Sequence, residues 1–350
     1  MRLVVVFVLL ALLVTWTVVA ETSRREADLL NARTELLHTG AAAMLEGFVS
    51  RGRVLQSVLL RDDRTLDLVS RLTASDAGAR DEATRTLHAL LESRQTALQG
   101  QGYGGLSLRD ARGGLLLPLG SPVDQRPLGL PVLRALESRG QVWGFEAGDR
   151  FALFRMIHVL EDEGERVGYL DTSLSRAVVL KSLALSLPGV ALDLVLNGSA
   201  VGAAVPPGSP GVAPSSLGPS FVRELPPPGG GGLDDGHFGL RDPGGLVEEA
   251  LARAPREALS AGLARGQAFA LFVDGGPDVT GVIALLPLFD LEGTPIGLMT
   301  GFWPGTERAA LWTQAVLVLA IGLGLIVVLG GWPWFCVRPG FAPSGNVGAW

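Results

Sequence analysis

Hydrophobic and polar positions divide this chain into three blocks. Residues 3–20 are apolar apart from Thr15 and Thr17, and at ~1.5 Å per helical residue they reach roughly 27 Å. Residues 309–331 form a second apolar run, roughly 34 Å long by the same rise. Nearly all the charge lies between them. The pattern predicts two membrane-length helices bracketing a region held outside the lipid on one side, with both chain ends on the other. Val18 and Ala20 are small enough for signal-peptide cleavage before Glu21. The run is longer than a usual signal core, however, and helical spacing continues past it, so residues 1–20 read as a retained anchor. Export follows from the N-terminal position of the first run, since Arg2 and Arg338 are weak orienting charges for a long translocated domain.

From residue 21 the apolar positions take helical spacing. Leu30, Leu37 and Met44 recur every seven residues, and Leu29, Ala41, Leu45 and Phe48 fill the same stripe. Val54, Leu55, Val58 and Leu59 extend it, so a helix over residues 21–76 is expected, more than about 70 Å long. The stripe suits either the scaffold helix of a domain or a dimerising, signal-carrying helix. After a break at Ser75-Asp76-Ala77-Gly78, residues 80–98 resume the helical pattern. Strands are then predicted over 106–110, 115–119, 141–147, 151–160 and 166–173, with a short helix at 131–138. Helix, two strands, helical crossover and three-strand meander is the order of a PAS-like module, an antiparallel sheet with a small cavity on one face.

The meander recurs. Gly164 and Gly168, in Glu163-Gly164 and Val167-Gly168-Tyr169-Leu170, are matched by Gly293 and Gly297, in Glu292-Gly293 and Ile296-Gly297-Leu298-Met299, each 129 residues further on. A second module is predicted, with strands at 190–197, 268–273, 279–288 and 295–302 and helices at 246–254 and 256–263. Residues 198–236, which contain Pro226-Pro227-Pro228 and the glycines 229–232, are expected to form an irregular surface excursion. The expected fold class is α+β, with two tandem PAS-like modules carrying antiparallel sheets on a long N-terminal helix, flanked by two transmembrane helices. In order these are an anchor (1–20), a stalk or scaffold helix (21–76), a membrane-distal module (77–178), a membrane-proximal module (179–308), a transmembrane helix (309–331) and a short cytoplasmic tail (332–350).

Charge and side-chain chemistry narrow the function classes. A net charge of −6 without a basic stripe argues against nucleic-acid binding. The only cysteine, Cys336, lies beyond the second apolar run, which excludes an intramolecular disulfide. Gly100, Gly102 and Gly105 have G-x-G-x-x-G spacing, but they follow a helix and precede a strand, the reverse of a dinucleotide fingerprint. His38, His88, His158 and His237 lack metal-ligand spacing. No G-x-S-x-G elbow surrounds a serine, and Asp62-Asp63 and Asp234-Asp235 read as solvated loop acids. No cofactor, metal or catalytic constellation is expected.

Val142-Trp143-Gly144-Phe145-Glu146-Ala147-Gly148, continued by Phe154-Arg155, Gly164 and Val167-Gly168-Tyr169-Leu170-Asp171-Thr172-Ser173-Leu174-Ser175, resembles the double Cache sensor domains of bacterial receptors. Those domains feed two-component kinases, diguanylate cyclases and chemotaxis proteins. Their pattern has a Gly-Phe-Glu segment, a Phe-Arg strand, a hairpin glycine and a terminal Ser-x-Ser. The organisation matches over roughly residues 21–308, the motifs between 142 and 175. His158 stands where the first module commonly carries a proline, whereas Pro287 keeps that position in the second. Residues 122–131 replace a Gly-Asp-Asp loop, and the amino-acid-binding signature of another branch is absent. The resemblance therefore implies an extracytoplasmic, PAS-like sensor fold but not an amino-acid ligand.

Side chains alternate along a strand, so Trp143, Phe145 and Ala147 share one face and Gly144 and Glu146 the other. Arg155 and His158 lie on the next strand, Asp171 and Ser173 on the last. Trp143, Phe145, Glu146, Arg155, His158, Asp171 and Ser173 are the candidate ligand-binding residues, suited to a small polar metabolite. Alternation forbids all of them from facing one cavity. In the competing reading Trp143 and Phe145 are core and Glu146 pairs with Arg155 structurally. The expected function is the periplasmic sensory input region of a receptor in the bacterial inner membrane, with a small ligand acting through the second membrane helix. The heptad-like stripe makes a homodimer the expected assembly. Residues 332–350 are too short to house a kinase, diguanylate cyclase or chemotaxis output, so a cytoplasmic effector is expected in cis if the chain is truncated, or otherwise in trans. The alternative is a membrane-anchored extracytoplasmic scaffold that uses its modules for protein contacts only.

Overall fold

The computed structural model describes residues 2–60, 63–72, 77–99, 103–120, 127–148, 151–162, 164–201, 211–225, 243–276 and 279–336. The chain divides into a compact unit of residues 30–305 and a second unit combining residues 1–29 with 306–350. Helix α1 (Arg2–Leu60) carries both the first apolar run and the heptad-like stripe, and by its ~1.5 Å rise it is about 88 Å long. In the larger unit that stripe is core: Leu37, Ala41, Met44, Phe48 and Val49 are buried in one cluster with residues of two sheets. It does the work of a scaffold, because positions three and four apart share one helix face. The helical path expected over residues 21–76 is in two pieces, α1 and then α2 (Asp63–Leu72), which buries Leu68, Val69 and Leu72. Of the break expected at Ser75-Asp76-Ala77-Gly78, Ser75 and Asp76 lie outside the described residues, whereas Ala77 and Gly78 are already helical. Helix α3 (Ala77–Gln99) follows and buries Ala83, Leu87 and Leu91.

The first sheet is built from β1 (Tyr103–Arg109), β2 (Leu115–Gly120), β3 (Gln141–Gly148), β4 (Phe151–Asp162) and β5 (Glu165–Ser175), with α4 (Leu130–Arg139) crossing between β2 and β3. Its order, β2-β1-β5-β4-β3 with antiparallel neighbours, is PAS-like. Proline at the start of α4 supplies a helical φ where no N–H is needed, and Gly140 ends the helix in the left-handed region at φ 70°. Phe145, Phe154, Met156 and Leu170 on one sheet face join the cluster of α1, α2 and α3. Val142, Ile157 and Tyr169 on the other face pack against Leu128, Val132 and Leu136.

Ser175 caps α5 (Arg176–Ser186), accepting a hydrogen bond from the Val178 amide. Then come β6 (Ala191–Asn197), α6 (Gly198–Val201), β7 (Val212–Pro214), β8 (Phe221–Glu224), α7 (Pro243–Arg253), α8 (Arg256–Arg265), β9 (Phe269–Asp274), β10 (Thr280–Phe289) and β11 (Pro295–Pro304). The second sheet runs β7-β8-β6-β11-β10-β9. Without β7 this is the order of the first sheet, with β6, β8, β9, β10 and β11 in the places of β1 to β5. The PAS-like architecture is thus repeated within one α+β chain. The expectation of an irregular excursion over 198–236 is corrected by β7 and β8. Val222 pairs with Leu196 and Pro214 with Val222, and proline is tolerated there because β7 is the edge strand. Residues 202–210 and 226–242, including the proline and glycine runs, lie outside the described residues.

The repeat has a steric origin at two glycines. A methyl group on Gly168 would lie 2.3 Å from the Arg109 carbonyl oxygen, and one on Gly297 2.4 Å from that of Val195. In both modules the last strand approaches the first too closely for any side chain there.

In the smaller unit, the start of α1 and helix α9 (Glu307–Cys336) are each long and apolar enough to cross a membrane. Their outward positions include Leu9, Leu12, Trp16, Leu317, Ile321 and Val327. The two threonines in the first run do not leave hydroxyls unsatisfied, since Thr15 and Thr17 donate to the carbonyls of Ala11 and Leu13. Near the end of this unit's α1 segment, Glu26 accepts hydrogen bonds from Arg308 Nε and Trp312 Nε1, each 2.8 Å. Arg338 and the rest of 337–350 lie outside the described residues.

Candidate functional site

The face of the first sheet beneath α4 carries charge where apolar side chains would pack more cheaply. Register places Ser107 of β1 opposite Asp171 of β5, and Asp171 opposite Ile157 of β4. Arg155, two residues before Ile157, therefore shares this face and lies opposite both Ser173 and Gly144. Asp171 is fully buried and is shared by two guanidinium groups. Arg155 donates from Nε to Oδ1 (2.9 Å) and from Nη2 to Oδ2 (2.5 Å), while Arg109 donates from Nε to Oδ2 (2.8 Å). Arg109 also donates from Nη1 to the Gly113 carbonyl at 3.1 Å, and Arg155 pairs through Nη1 with Glu146. Burial opposes the charge on Arg155, but Asp171 and Glu146 outweigh it and hold its pKa above the usual arginine value.

The predicted residues split between the two sheet faces. Glu146 and Arg155 line a cavity of about 540 Å³ beside α4, to which Asn197, Ser199, Asp290 and Glu292 contribute from the second module. Asp171 and Ser173 are buried on that same sheet face, where Asp171 anchors Arg155. Trp143 and Phe145 point the other way, their rings 5.8 and 5.3 Å from that of Phe154, which in turn packs 6.2 Å from Phe48 of α1. Phe145 is buried and Trp143 half-exposed, and both line a second cavity of about 490 Å³ with His38 and Leu45 of α1. Arg109 and Ser107 went unrecognised as members of the site. A polar residue at every second position of Leu106-Ser107-Leu108-Arg109 was the available signal.

His158 lies with the aromatic face and lines neither cavity. It is buried, and its Nε2 has no hydrogen-bond partner among the described residues. Burial, assisted by Arg53, lowers its pKa from 6.5 to about 4. The unfolded chain therefore takes up this proton first. The stability is present above pH 6.5 and falls as pH drops toward 4, by about 3 kcal/mol at full effect. Urea unfolding of the full chain in detergent at pH 7 and 4.5 should show a smaller pH difference for His158→Gln than for the parent. Equal differences would place the acid sensitivity elsewhere.

The second module holds a related cluster. Asp193 of β6 lies opposite Thr300 of β11, which is the strand pair equivalent to Ser107 and Asp171. The buried carboxylate has changed strands, and it again meets two arginines: Arg176, with which it is hydrogen-bonded, and Arg223 at 3.6 Å. Burial raises the Asp193 pKa against the opposing pull of Arg176.

No protein-family model matches the chain, and no curated protein matches it. Several solved structures are similar to it. One is the ligand-binding domain of the Pseudomonas fluorescens chemoreceptor CtaA in complex with L-isoleucine, at 14% identity and TM-score 0.38, covering 83% of this chain and 98% of that one. Another is the sensor domain of the V. cholerae histidine kinase DctB, at 10% identity and TM-score 0.39, covering 80% and 99%. A third is the ligand-binding domain of the Pseudomonas aeruginosa PAO1 amino-acid chemoreceptor PctC in complex with GABA, at 12% identity and TM-score 0.35, covering 78% and 98%.

Proposed function

We propose that this chain is the extracytoplasmic sensory input region of a bacterial inner-membrane receptor. A small polar molecule binds in the cavity beside α4 and acts through the second membrane helix on a cytoplasmic effector. The observation that carries this reading is the position of Arg155 and Glu146. They belong to a buried charge cluster and also line a cavity large enough for a metabolite. A purely structural role would be served at lower cost by apolar side chains, because a desolvated ion cluster rarely outweighs the hydrophobic alternative. The repeated PAS-like order and two membrane-length helices agree with the topology of such a region. Glu146, Arg155, Asp171 and Ser173 are the site residues in this proposal, with Arg109 added. Trp143, Phe145 and His158 belong to the opposite face. The exposed positions of α1 remain available to a second copy.

The test is a thermal-unfolding screen of the full chain in detergent against a broad metabolite library. A saturating ligand at about 100 times its Kd raises stability by about 2.7 kcal/mol, a shift of several degrees that Arg155→Lys should diminish. A broad library without a single stabilising compound would favour the scaffold reading. Protease treatment of intact cells tests the topology separately, with cleavage expected between residues 30 and 305.

A further inference from the structure

The turn between β10 and β11 belongs to the second module, yet it is built into the first module's cavity. Its backbone seats on β3 at Gly144, where a methyl group would lie 2.6 Å from the Asp290 carbonyl carbon and 2.8 Å from the Leu291 nitrogen. Leu291 packs against the cluster of Val142, Ile157, Tyr169 and the α4 residues Val132 and Leu136. A methyl group on Gly129, just before α4, would lie 2.7 Å from Glu292 Oε1. The turn holds its own shape. Asp290 Oδ1 accepts hydrogen bonds from the Glu292 and Thr294 amides, each 2.8 Å, and Gly293 adopts φ 84°. Asp290, Glu292 and Thr294 thereby wall the same space as Glu146 and Arg155.

We propose that the ligand cavity is shared by both modules and that Glu292 determines its specificity by selecting a ligand with a positively charged group. The inference rests on the sensor reading above and names its ligand chemistry. Among the described lining residues, Glu146, Asp290 and Glu292 are acidic and Arg155 is basic. Arg155 is matched by Asp171 and Glu146, and the Asp290 carboxylate by two amides. Glu292 remains as the carboxylate without an ion-pair partner among the described residues. Beside a partly enclosed cavity its field favours a cation and opposes an anion. The turn continues into β11, which ends at Pro304, three residues before α9 begins. A ligand held by Glu292 therefore bears on the strand that leads into the second membrane helix, and it shifts that strand only by binding its two states unequally.

Thermal unfolding of the full chain in detergent with putrescine, ethanolamine, succinate or L-alanine reads this directly. At least one of the two amines is expected to raise the melting temperature, and succinate is not. Glu292→Gln, at an exposed position, is expected to melt like the parent without a probe and to weaken the amine's apparent Kd roughly tenfold. Gly144→Ala, which displaces the turn, should weaken it as well. Amine binding unchanged in Glu292→Gln overturns the proposal. So does stabilisation by succinate that depends on Arg155, although the sensor reading would then stand. No response to any of the four probes also overturns it and leaves the sensor reading to the library screen.

Discussion

Asp171→Asn is expected to lower the unfolding free energy of the chain by about 3–5 kcal/mol, the range for removing one partner from a buried ion pair. Asp171 is completely buried and accepts three charge-assisted hydrogen bonds, two from Arg155 and one from Arg109. An amide of the same shape keeps the volume but loses the charge, and its NH2 presents donors to groups that can only donate. Two guanidinium groups then face each other without their shared counter-charge. Urea unfolding of the full chain in detergent, with Glu165→Gln at an exposed position as a control within about ±0.5 kcal/mol, measures the difference. A loss below about 1 kcal/mol would mean that water reaches the cluster. Replacing Arg109, Arg155, Asp171 and the Glu146 that pairs with Arg155 together by methionine or leucine is expected to be nearly neutral or stabilising while abolishing ligand-induced shifts. That contrast separates what the cluster does for folding from what it does for recognition.

Gly168→Ala and Gly297→Ala are each expected to destabilise by roughly 1–3 kcal/mol or more. In both, the added methyl meets a backbone carbonyl oxygen, at 2.3 Å on Arg109 and 2.4 Å on Val195. A flexible side chain could rotate away; a strand carbonyl moves only if the sheet shifts. Gly47→Ala supplies the opposite sign. Gly47 lies within α1, with nothing within 4 Å of an added methyl, so the gain in helix propensity should stabilise by about 0.5–1 kcal/mol. Denaturation curves of the three variants check the set. Equal effects at all three would remove the steric account of why these glycines recur.

The Gly168 and Gly297 pair shows how much of the fold was legible. Their spacing, with that of Gly164 and Gly293, announces a repeated meander, and the structure supplies both hairpins. Five strands of the first sheet were readable because turn signals bound most of the short, strand-forming runs. The β7 and β8 strands were not readable. Val212–Pro214 is too short to show a period, and proline and glycine on either side carry the composition of a loop. Helix α5 was missed because its stretch is apolar on nearly every side and follows a strand without a turn signal.

The chain's own order of residues determined its membrane-length apolar runs, the long scaffold helix and the repeated strand order. Each is a periodicity or a spacing, and local geometry converts those directly into elements. Tertiary structure alone decided the site. Alternation separated Glu146 from Trp143 and Phe145, but only the pairing of β1, β4 and β5 put Arg109 and Arg155 on one carboxylate, 62 and 16 residues away respectively. The presence of Glu292 in the first module's cavity depends on a turn from the second module finding a side-chain-free seat at Gly144. That contact joins residues more than a hundred positions apart. It is set by the packing of two separate sheets, which no pattern within either segment encodes.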